Sequence, residues 1–335
     1  MSRPFGHSFR AVFSELGGGK NDRPLLAARA RYLIGAGVVS AGILALALAG
    51  AYAQETKPRP VIDRAPRNAA FGETVVIRGH LENGSSGDRV SLQRSTSSGS
   101  WKDVRSVAID GDRKVRFRLK GVYKSARYRL QVRGQDDALS ASPGSSASGD
   151  VTVRVKPKLT VDVQPSRVMA GNRVQVGGAL KPQQPGRRVT IKRRSGGKWQ
   201  TVARPKVRAG RYSARLEAAN PSRSRIKVTF RGDATNTKAR AKRRIFVYDP
   251  DLATWYGPGL YGNRTACGQT LGYNTVGVAH RALPCGTKVS IFYRGRSITV
   301  PVIDRGPYGS AEWDLTRATA ARVKFSGHGT IGTVH

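Results

Sequence analysis

Carboxylates are scarce in this chain, whose 335 residues carry 21 Asp and Glu against 59 Lys and Arg, a formal net charge of +38. Such a surplus of positive charge favours polyanionic partners: nucleic acid, an anionic membrane, or an acidic polymer outside the cell. From residue 252 to the end there are only three acids, Asp304, Glu312 and Asp314, beside nine Lys or Arg. Acid chemistry in this segment therefore has few candidate residues.

Cysteine is scarcer still, because Cys267 and Cys285 are the only two in the chain. No CxxC spacing and no nearby pair of histidines supports a zinc site, so we predict neither a metal nor a cofactor. An even pair within one small exported domain predicts a disulfide. Two free thiols, or half of a metal site, are the alternatives.

Long apolar runs are also rare, and the clearest one covers residues 32–53, which are 22 residues without a charge. It follows Arg29 and Arg31 and ends in a small-x-small pattern, so it predicts either a signal peptide cleaved before Gln54 or an uncleaved membrane anchor. Both alternatives place residues 54–335 outside the cytoplasm. We therefore expect anionic cell-wall polymer as a partner, no nucleic acid, and membrane contact only through residues 1–53. A linker is predicted over residues 54–70.

Aromatic residues make up only 7% of the chain, whereas glycine and proline number 39 and 17, a composition typical of short strands and turns. The middle of the chain repeats with a period of 98–99 residues: positions 72–81 align with 171–180, and Trp101 aligns with Trp199. Apolar alternation predicts strands over residues 74–78, 89–94, 115–119, 127–132, 174–177, 188–193, 211–216 and 225–231.

Short strands at this spacing predict two antiparallel β-sandwiches, over residues 71–156 and 157–248. The repeat resembles the immunoglobulin-like modules of bacterial surface proteins. The sequence of neither copy indicates a His–acid pair, so we interpret the two copies as a basic spacer. We expect Trp101 and Trp199 to fill their cores, and residues 248–252 to connect the second copy to the last domain.

In the last domain, alternation over residues 297–302 predicts a strand that ends at Asp304, where Gly306 and Pro307 turn the chain. Residues 288–292 form its predicted hairpin partner. Thr316 is placed to cap a short helix over residues 317–323. Asp314, just before the cap, is interpreted as structural, and residues 330–334 as a closing strand.

Four separated segments in residues 253–335 carry a family resemblance. They are residues 253–259, 261–269, 277–289 and 302–320, the last with the Asp-Arg-Gly-Pro motif at positions 304–307. In this order they resemble the double-psi β-barrel of the rare lipoprotein A (RlpA) family, which is shared more distantly by barwin and expansins. The resemblance implies a six-stranded barrel with one short helix, and thus an all-β chain of two sandwiches followed by a barrel.

The resemblance also implies an activity, since RlpA-like proteins act on peptidoglycan, some as lytic transglycosylases on peptide-free glycan strands. Asp304 matches the family aspartate, to which we assign the general acid/base role, and His280 matches the family histidine, which could hydrogen-bond the aspartate or the sugar. The candidate glycan contacts are Gln269, Tyr261, Tyr308, Arg305 and Trp255. Core packing is the alternative role for Trp255.

The chain departs from the family pattern at position 269. Family members usually have a glutamate followed shortly by an aspartate, whereas this chain has Gln269 and no such aspartate. Glutamine can hydrogen-bond a sugar hydroxyl but cannot exchange a proton near neutral pH. A non-catalytic module that binds or loosens the wall, as expansins do, therefore stays open as the alternative function.

Overall fold

The structure is a computed structural model that describes residues 57–133 and 146–335. This part is nearly all β with one short helix, so the predicted all-β class is confirmed. The predicted export segment, residues 1–53, falls outside the described residues. Within the described ranges, no helix has the length and apolar character needed to cross a membrane.

The first module is built from two sheets that share one core. Its strands are β1 (Arg59–Arg64), β2 (Asn68–Ala70), β3 (Glu73–Glu82), β4 (Arg89–Ser95), β5 (Trp101–Ala108), β6 (Lys114–Val122), β7 (Ala126–Arg133) and β8 (Val151–Lys156). One sheet has the order β1-β3-β6 and the other β2-β8-β7-β4-β5. Ile77 from the first sheet and Leu92 and Leu130 from the second are completely buried together. The predicted linker over residues 54–70 contains β1 and β2, so most of these residues are part of the first module.

The second module has the same plan. Its strands are β9 (Lys158–Leu159), β10 (Asp162–Gln164), β11 (Arg167–Met169), β12 (Arg173–Lys181), β13 (Thr190–Ser195), β14 (Lys198–Ala203), β15 (Arg211–Glu217), β16 (Ser222–Phe230) and the first part of β17 (Ala239–Tyr256). The sheet β10-β12-β15, with β9 beside β12, faces the sheet β14-β13-β16-β17, with β11 beside β17. Val176, Ile191 and Ile226 are fully buried between the two sheets. The immunoglobulin-like assignment stays a prediction.

The two repeat tryptophans do not lie where the sequence predicts. Neither Trp101 nor Trp199 belongs to a core cluster of its module. Each ring instead lies under a cation: Arg129 is 4.5 Å from the centroid of Trp101, and the Lys227 ammonium is 3.8 Å from that of Trp199. The prediction that they fill the cores is therefore wrong, because period-2 alternation does not reveal which face of an edge strand is buried.

Buried polar contacts join the two modules. Asn236 is 1% exposed and its amide donates to the carbonyls of Tyr123, at 3.0 Å, and Val155, at 3.2 Å. Arg187, also buried, donates to Asp233 at 2.7 Å and to the Asn236 side chain at 2.7 Å. A buried charge is tolerated when it is paired and hydrogen-bonded in this way. The junction is thus a defined contact.

The second module and the C-terminal domain share one strand. β17 pairs with β16 from Ala239 to Val247, and from Asp249 onwards with β22 (Gly329–Val334). Residues 248–252, predicted as a connector, are therefore part of this continuous 18-residue strand. No loop separates the module from the domain that follows.

The C-terminal domain is a closed six-stranded barrel. Besides the second part of β17 and β22, its strands are β18 (Val278–Ala279), β19 (Lys288–Tyr293), β20 (Arg296–Asp304) and β21 (Trp313–Thr316). The order β17-β21-β18-β20-β19-β22 closes because β22 pairs back to β17. Val289, Val300 and Leu315 are completely buried in its core. The predicted barrel of six strands is confirmed.

Local sequence signals specify several parts of the barrel. The predicted hairpin forms between β19 and β20, and its two-residue turn, Arg294 and Gly295, has φ of 43° and 83°. Positive φ at both positions is typical of a type I′ turn, whose twist matches the strands. The predicted helix is α1 (Arg317–Val323), and the Thr316 hydroxyl accepts from the N–H of Thr319 as its N-cap.

Candidate functional site

Three neighbouring barrel strands place two carboxylates at the same level. Ala279 of β18 is paired with Asp304 of β20 on one side and with Asp314 of β21 on the other. Paired residues lie on one face of a sheet, and strands are about 4.8 Å apart, so the two Cα atoms are separated by about 10 Å. The side chain between them is only the methyl group of Ala279. Asp304 and Asp314 therefore form a carboxylate pair.

Asp314 is mostly buried, and this changes its acidity. Its pKa is raised from the ordinary value of 3.8 to about 6, chiefly by burial and to a smaller extent by the charge of Asp304, against the opposing effect of a hydrogen bond from Thr254. The Thr254 hydroxyl donates to Asp314 Oδ1 at 2.9 Å. The interpretation that Asp314 supports the helix N-terminus stays a prediction, since this residue lies two positions before the N-cap Thr316. Asp314 is also the buried member of the carboxylate pair.

Asp304 is held by backbone groups. Its Oδ1 accepts from the N–H of Ala266 at 2.9 Å and from the N–H of Arg305 at 2.8 Å. Both bonds fall on the same oxygen, and the residue is only partly buried. The carboxylate is thus oriented at the end of β20 by the loop that follows β17 and by its own turn.

Tyr256, at the end of β17, lies beside the carboxylate pair. Its hydroxyl is buried and has no hydrogen-bond partner of standard geometry in the described part of the chain. Burial raises the pKa of Tyr256, and the nearby carboxylates of Asp304 and Asp314 raise it further. A buried hydroxyl without a partner costs about 1–3 kcal/mol. A role in the site would account for its presence there.

His280 is engaged away from the Asp304 carboxylate. Its Nδ1 accepts from the N–H groups of Ala282, at 3.1 Å, and Leu283, at 2.9 Å, and its Nε2 lies 3.1 Å from Glu312 Oε1. Since Nδ1 is an acceptor, the proton of the neutral ring is on Nε2. Burial lowers the pKa of His280, and the Glu312 carboxylate opposes this. Its contact with Asp304 is through the backbone, where its N–H donates to the Asp304 carbonyl at 3.2 Å.

Two arginines beside the pair hold loops. Arg281 donates to the carbonyls of Pro307, at 2.6 Å, and Ala311, at 2.7 Å, and so fixes the loop that carries Tyr308. The Arg305 guanidinium donates to the carbonyl of His280 at 3.3 Å. The predicted glycan contact Arg305 is therefore already committed, in part, to an internal bond.

The other predicted contacts differ in their surroundings. Tyr308 is 87% exposed and Tyr261 is 37% exposed, whereas the ring of Trp255 packs against the barrel core. Gln269 is exposed in the loop after β17. Sequence reasoning missed Tyr273, whose ring is 5.9 Å from that of Tyr261 and lies 3.7 Å below the Arg317 guanidinium. Like Tyr261, Tyr273 lies between glycines in a loop, and this sequence pattern could have identified it as a candidate glycan contact.

The predicted disulfide is present. Cys267 and Cys285 are bonded, with Cα atoms 5.7 Å apart and 18 positions of sequence separation. The bond joins the loop before β18 to the loop before β19. The N–H of Cys267 also donates to the carbonyl of Ile303, next to Asp304, at 3.3 Å. The bridge thus stabilises the loop that orients Asp304 through Ala266.

Residues 252–334 match a family model described as lytic transglycolase, with a double-psi β-barrel fold. This segment is an RlpA-like double-psi β-barrel. The RlpA-like barrel is 40% identical over 86 residues to a probable endolytic peptidoglycan transglycosylase RlpA of Synechocystis, covering 25% of this chain and 26% of that protein. An endolytic peptidoglycan transglycosylase RlpA of Campylobacter jejuni is 33% identical over 117 residues, 33% of this chain and 42% of that protein.

A third relative, the RlpA of Pseudomonas aeruginosa, is 35% identical over 95 residues, which are 28% of this chain and 26% of that protein. The chain thus aligns with well under half the length of these relatives. A solved tetra-tandem repeat from the extending region of a large adhesion protein aligns with 83% of this chain and 74% of that chain, at 12% identity. Its TM-score of 0.31 is too low to bear on the fold of the two modules.

Proposed function

We propose that the RlpA-like barrel cleaves peptidoglycan glycan strands as a lytic transglycosylase, with the carboxylate pair as its general acid and base. The observation that carries this proposal is the juxtaposition of the two carboxylates on neighbouring strands, where burial raises the pKa of Asp314 to about 6 with a smaller contribution from the Asp304 charge. Enzymes adjust carboxyl groups towards such values so that one can donate a proton near neutral pH. The activity printed in the names of the three relatives supports the same reaction.

The proposed reaction needs no activated water. A proton shared by Asp304 and Asp314 passes to the glycosidic oxygen, and the bond from that oxygen to C1 of the muramyl sugar breaks. The negative charge left on the pair stabilises the positive charge that develops at C1. The C6 hydroxyl of the same sugar then attacks C1, closes a 1,6-anhydro ring, and returns its proton to the pair. Two acids flanking a water, as in hydrolysis, are therefore not required.

Asp304 remains the residue that we expect to meet the scissile bond, since it lies where β20 ends and a turn opens to solvent. Asp314 would hold the proton that Asp304 relays. His280 would position Asp304 through its backbone bond and its contact with Glu312, rather than by a side-chain bond to the carboxylate.

Sugar contacts would come from the exposed aromatic rings around the pair. Tyr261, Tyr273 and Tyr308 expose large faces in loops next to the strand ends. Aromatic faces with a polar tip suit sugar rings, which combine apolar C–H faces with hydroxyl groups. Gln269 would contribute a hydrogen bond without exchanging a proton.

The alternative is an expansin-like module that binds or loosens peptidoglycan without cleaving it. Gln269 in place of the family glutamate favours it, as do the two backbone bonds that occupy Oδ1 of Asp304. In both alternatives the chain would act outside the cytoplasm, where a disulfide such as Cys267–Cys285 persists. The two β modules, from β1 to the first part of β17, would serve as a basic spacer next to the barrel.

Mass spectrometry of sugar products distinguishes the two functions. The full-length protein is incubated with peptide-free glycan strands, and 1,6-anhydromuramyl ends are counted while sedimentation with intact sacculi measures binding. We expect anhydro products from the wild-type chain. Binding without such products would refute cleavage and favour the wall-loosening alternative.

A further inference from the structure

One sheet of the second module lacks acidic residues altogether. The strands β11, β13, β14 and β16 and the first part of β17, through residue 248, contain no Asp or Glu. Their outward-facing cations are Arg167, Lys192, Arg223, Arg225, Lys227, Arg240, Lys242 and Arg244, which we call the cationic face. In the described ranges, none of these side chains forms an ion pair with a carboxylate.

The strand register places like charges directly opposite one another on this face. Lys227 of β16 is paired with Lys192 of β13 and with Lys242 of β17, which makes a row of three ammonium groups. The next row pairs Arg225 with Arg244. Directly opposed like charges destabilise a sheet. A sequence that keeps two such rows side by side gains nothing in stability from them, so another role has to explain them.

Lys227 lies at the centre of the cationic face. The Lys227 ammonium rests 3.8 Å from the centroid of the Trp199 ring. Partial burial lowers the pKa of Lys227, and the positive charges of Lys192, Arg240 and Lys242 lower it further. An approaching polyanion would relieve this repulsion.

Concave surface continues from the cationic face to the barrel. A cavity of about 340 Å³ is lined by Arg223, Arg225, Arg244 and Phe246 and, on the barrel, by Thr299. It adjoins a second cavity, of about 470 Å³, that shares Arg223 and Arg225 and adds Arg193 and Arg194. The Arg223 guanidinium also donates to the barrel carbonyls of Lys288 and Val334, both at 3.2 Å. Arg223 is therefore held in place at the junction.

We infer that the cationic face is a binding site for a flexible polymer of phosphodiester groups, of the polyol-phosphate kind found in cell walls. Rows of cations lie about 7 Å apart along the strands and about 4.8 Å apart across them, which suits closely spaced charges on one extended chain. Guanidinium groups bind phosphate oxygens in a bidentate manner, and the absence of carboxylates leaves no competing anion. This inference does not depend on cleavage by the barrel, because it uses none of the residues of the carboxylate pair.

Binding of poly(glycerol phosphate) to the full-length protein tests the inference. The test variant replaces the row of three lysines: Lys192→Gln, Lys227→Gln and Lys242→Gln. The matched control removes the same charge from exposed positions of β6, a strand whose sheet also carries Asp63 and Glu82: Lys114→Gln, Arg116→Gln and Arg118→Gln. Isothermal titration calorimetry at several salt concentrations gives the dissociation constants and their salt dependence.

We expect the row variant to bind at least ~10-fold more weakly, with a slope of log K against log salt that is smaller by about two, since each lost phosphate contact removes roughly 0.7–0.9. The control should bind within about twofold of the wild type, and the melting temperature of the row variant should not fall. An equal loss of affinity in both variants would refute a specific site and show that binding depends on net charge alone. Tighter binding of double-stranded DNA or of anionic lipid vesicles, at equal phosphate concentration, would refute the assignment of a flexible phosphodiester polymer as the ligand.

Discussion

The two halves of β17 differ in the surroundings of their charged and polar groups. In the second module, the strand displays Arg240, Lys242 and Arg244 to solvent without a carboxylate opposite them. In the barrel, the same strand supplies Asp251, which accepts from the Trp313 indole at 3.0 Å, and Thr254, which donates to Asp314. The cations on this half of β17 have no carboxylate opposite them and suit an external partner, whereas the charged groups around the barrel half are partly buried and hydrogen-bonded to their neighbours. One continuous strand thus links a proposed anchoring surface to a proposed catalytic one.

The largest effect should follow from removing the carboxylates of the barrel. We expect Asp304→Asn and Asp314→Asn each to reduce release of anhydromuramyl products by about 10²–10⁴-fold, the usual contribution of a positioned acid or base. Sedimentation with sacculi should be unchanged in both, because the cationic face is intact. The row variant described above is the reciprocal control: it should lose polymer binding yet keep cleavage of short glycan strands. If one variant lost both cleavage and polymer binding, the assignment of these two functions to separate halves of β17 would be contradicted.

The disulfide should matter for the barrel and not for the modules. Replacing both Cys267 and Cys285 with serine opens an 18-position loop, which we expect to cost about 3 kcal/mol of barrel stability. Because the barrel and the modules have separate hydrophobic cores, unfolding of the barrel should precede that of the modules in the variant. Calorimetry would detect this as a separate transition at lower temperature, and an unchanged single transition would contradict it.

Tyr256→Phe should separate stability from activity. Its buried hydroxyl lacks a partner of standard geometry, so its removal should leave the free energy of unfolding unchanged or raise it by about 1 kcal/mol. Anhydro product release should nevertheless fall, because the hydroxyl lies beside the carboxylate pair. Equal activity in the two proteins would show that Tyr256 has no part in the reaction. Chemical denaturation and product counting provide the two measurements.

Much of the barrel followed from local sequence signals. The hairpin of residues 288–292 and 297–302, the cap at Thr316 and the pairing of the only two cysteines are each specified by neighbouring residues or by scarcity, and all three are confirmed. The roles of Asp304 and His280 came from a resemblance and stay predictions. The features that the sequence did not reveal depend on how strands that are distant in the sequence pair with one another.

Three features show why parts of the fold and the site could not be predicted from the sequence. Asp314 looked structural because its acidity depends on burial and on Asp304, ten positions earlier and two strands away. The uninterrupted β17 was hidden because Pro250 and two acids at residues 249–252 are typical of a connector, yet they pair with β22. A row such as Lys192, Lys227 and Lys242 exists only once three strands are in register.

The most direct test of the carboxylate pair is a carbon-13 NMR titration of the Asp314 carboxyl in the wild-type protein and in Asp304→Asn. We expect a pKa of about 6 in the wild type and a lower value in the variant, because burial remains but the Asp304 charge is gone. A pKa raised by folding means that this group's contribution to stability is present below about pH 4 and is lost as pH rises through 6. An ordinary pKa near 3.8 in the wild type, or one that Asp304→Asn does not move, would contradict the proposed proton-sharing pair.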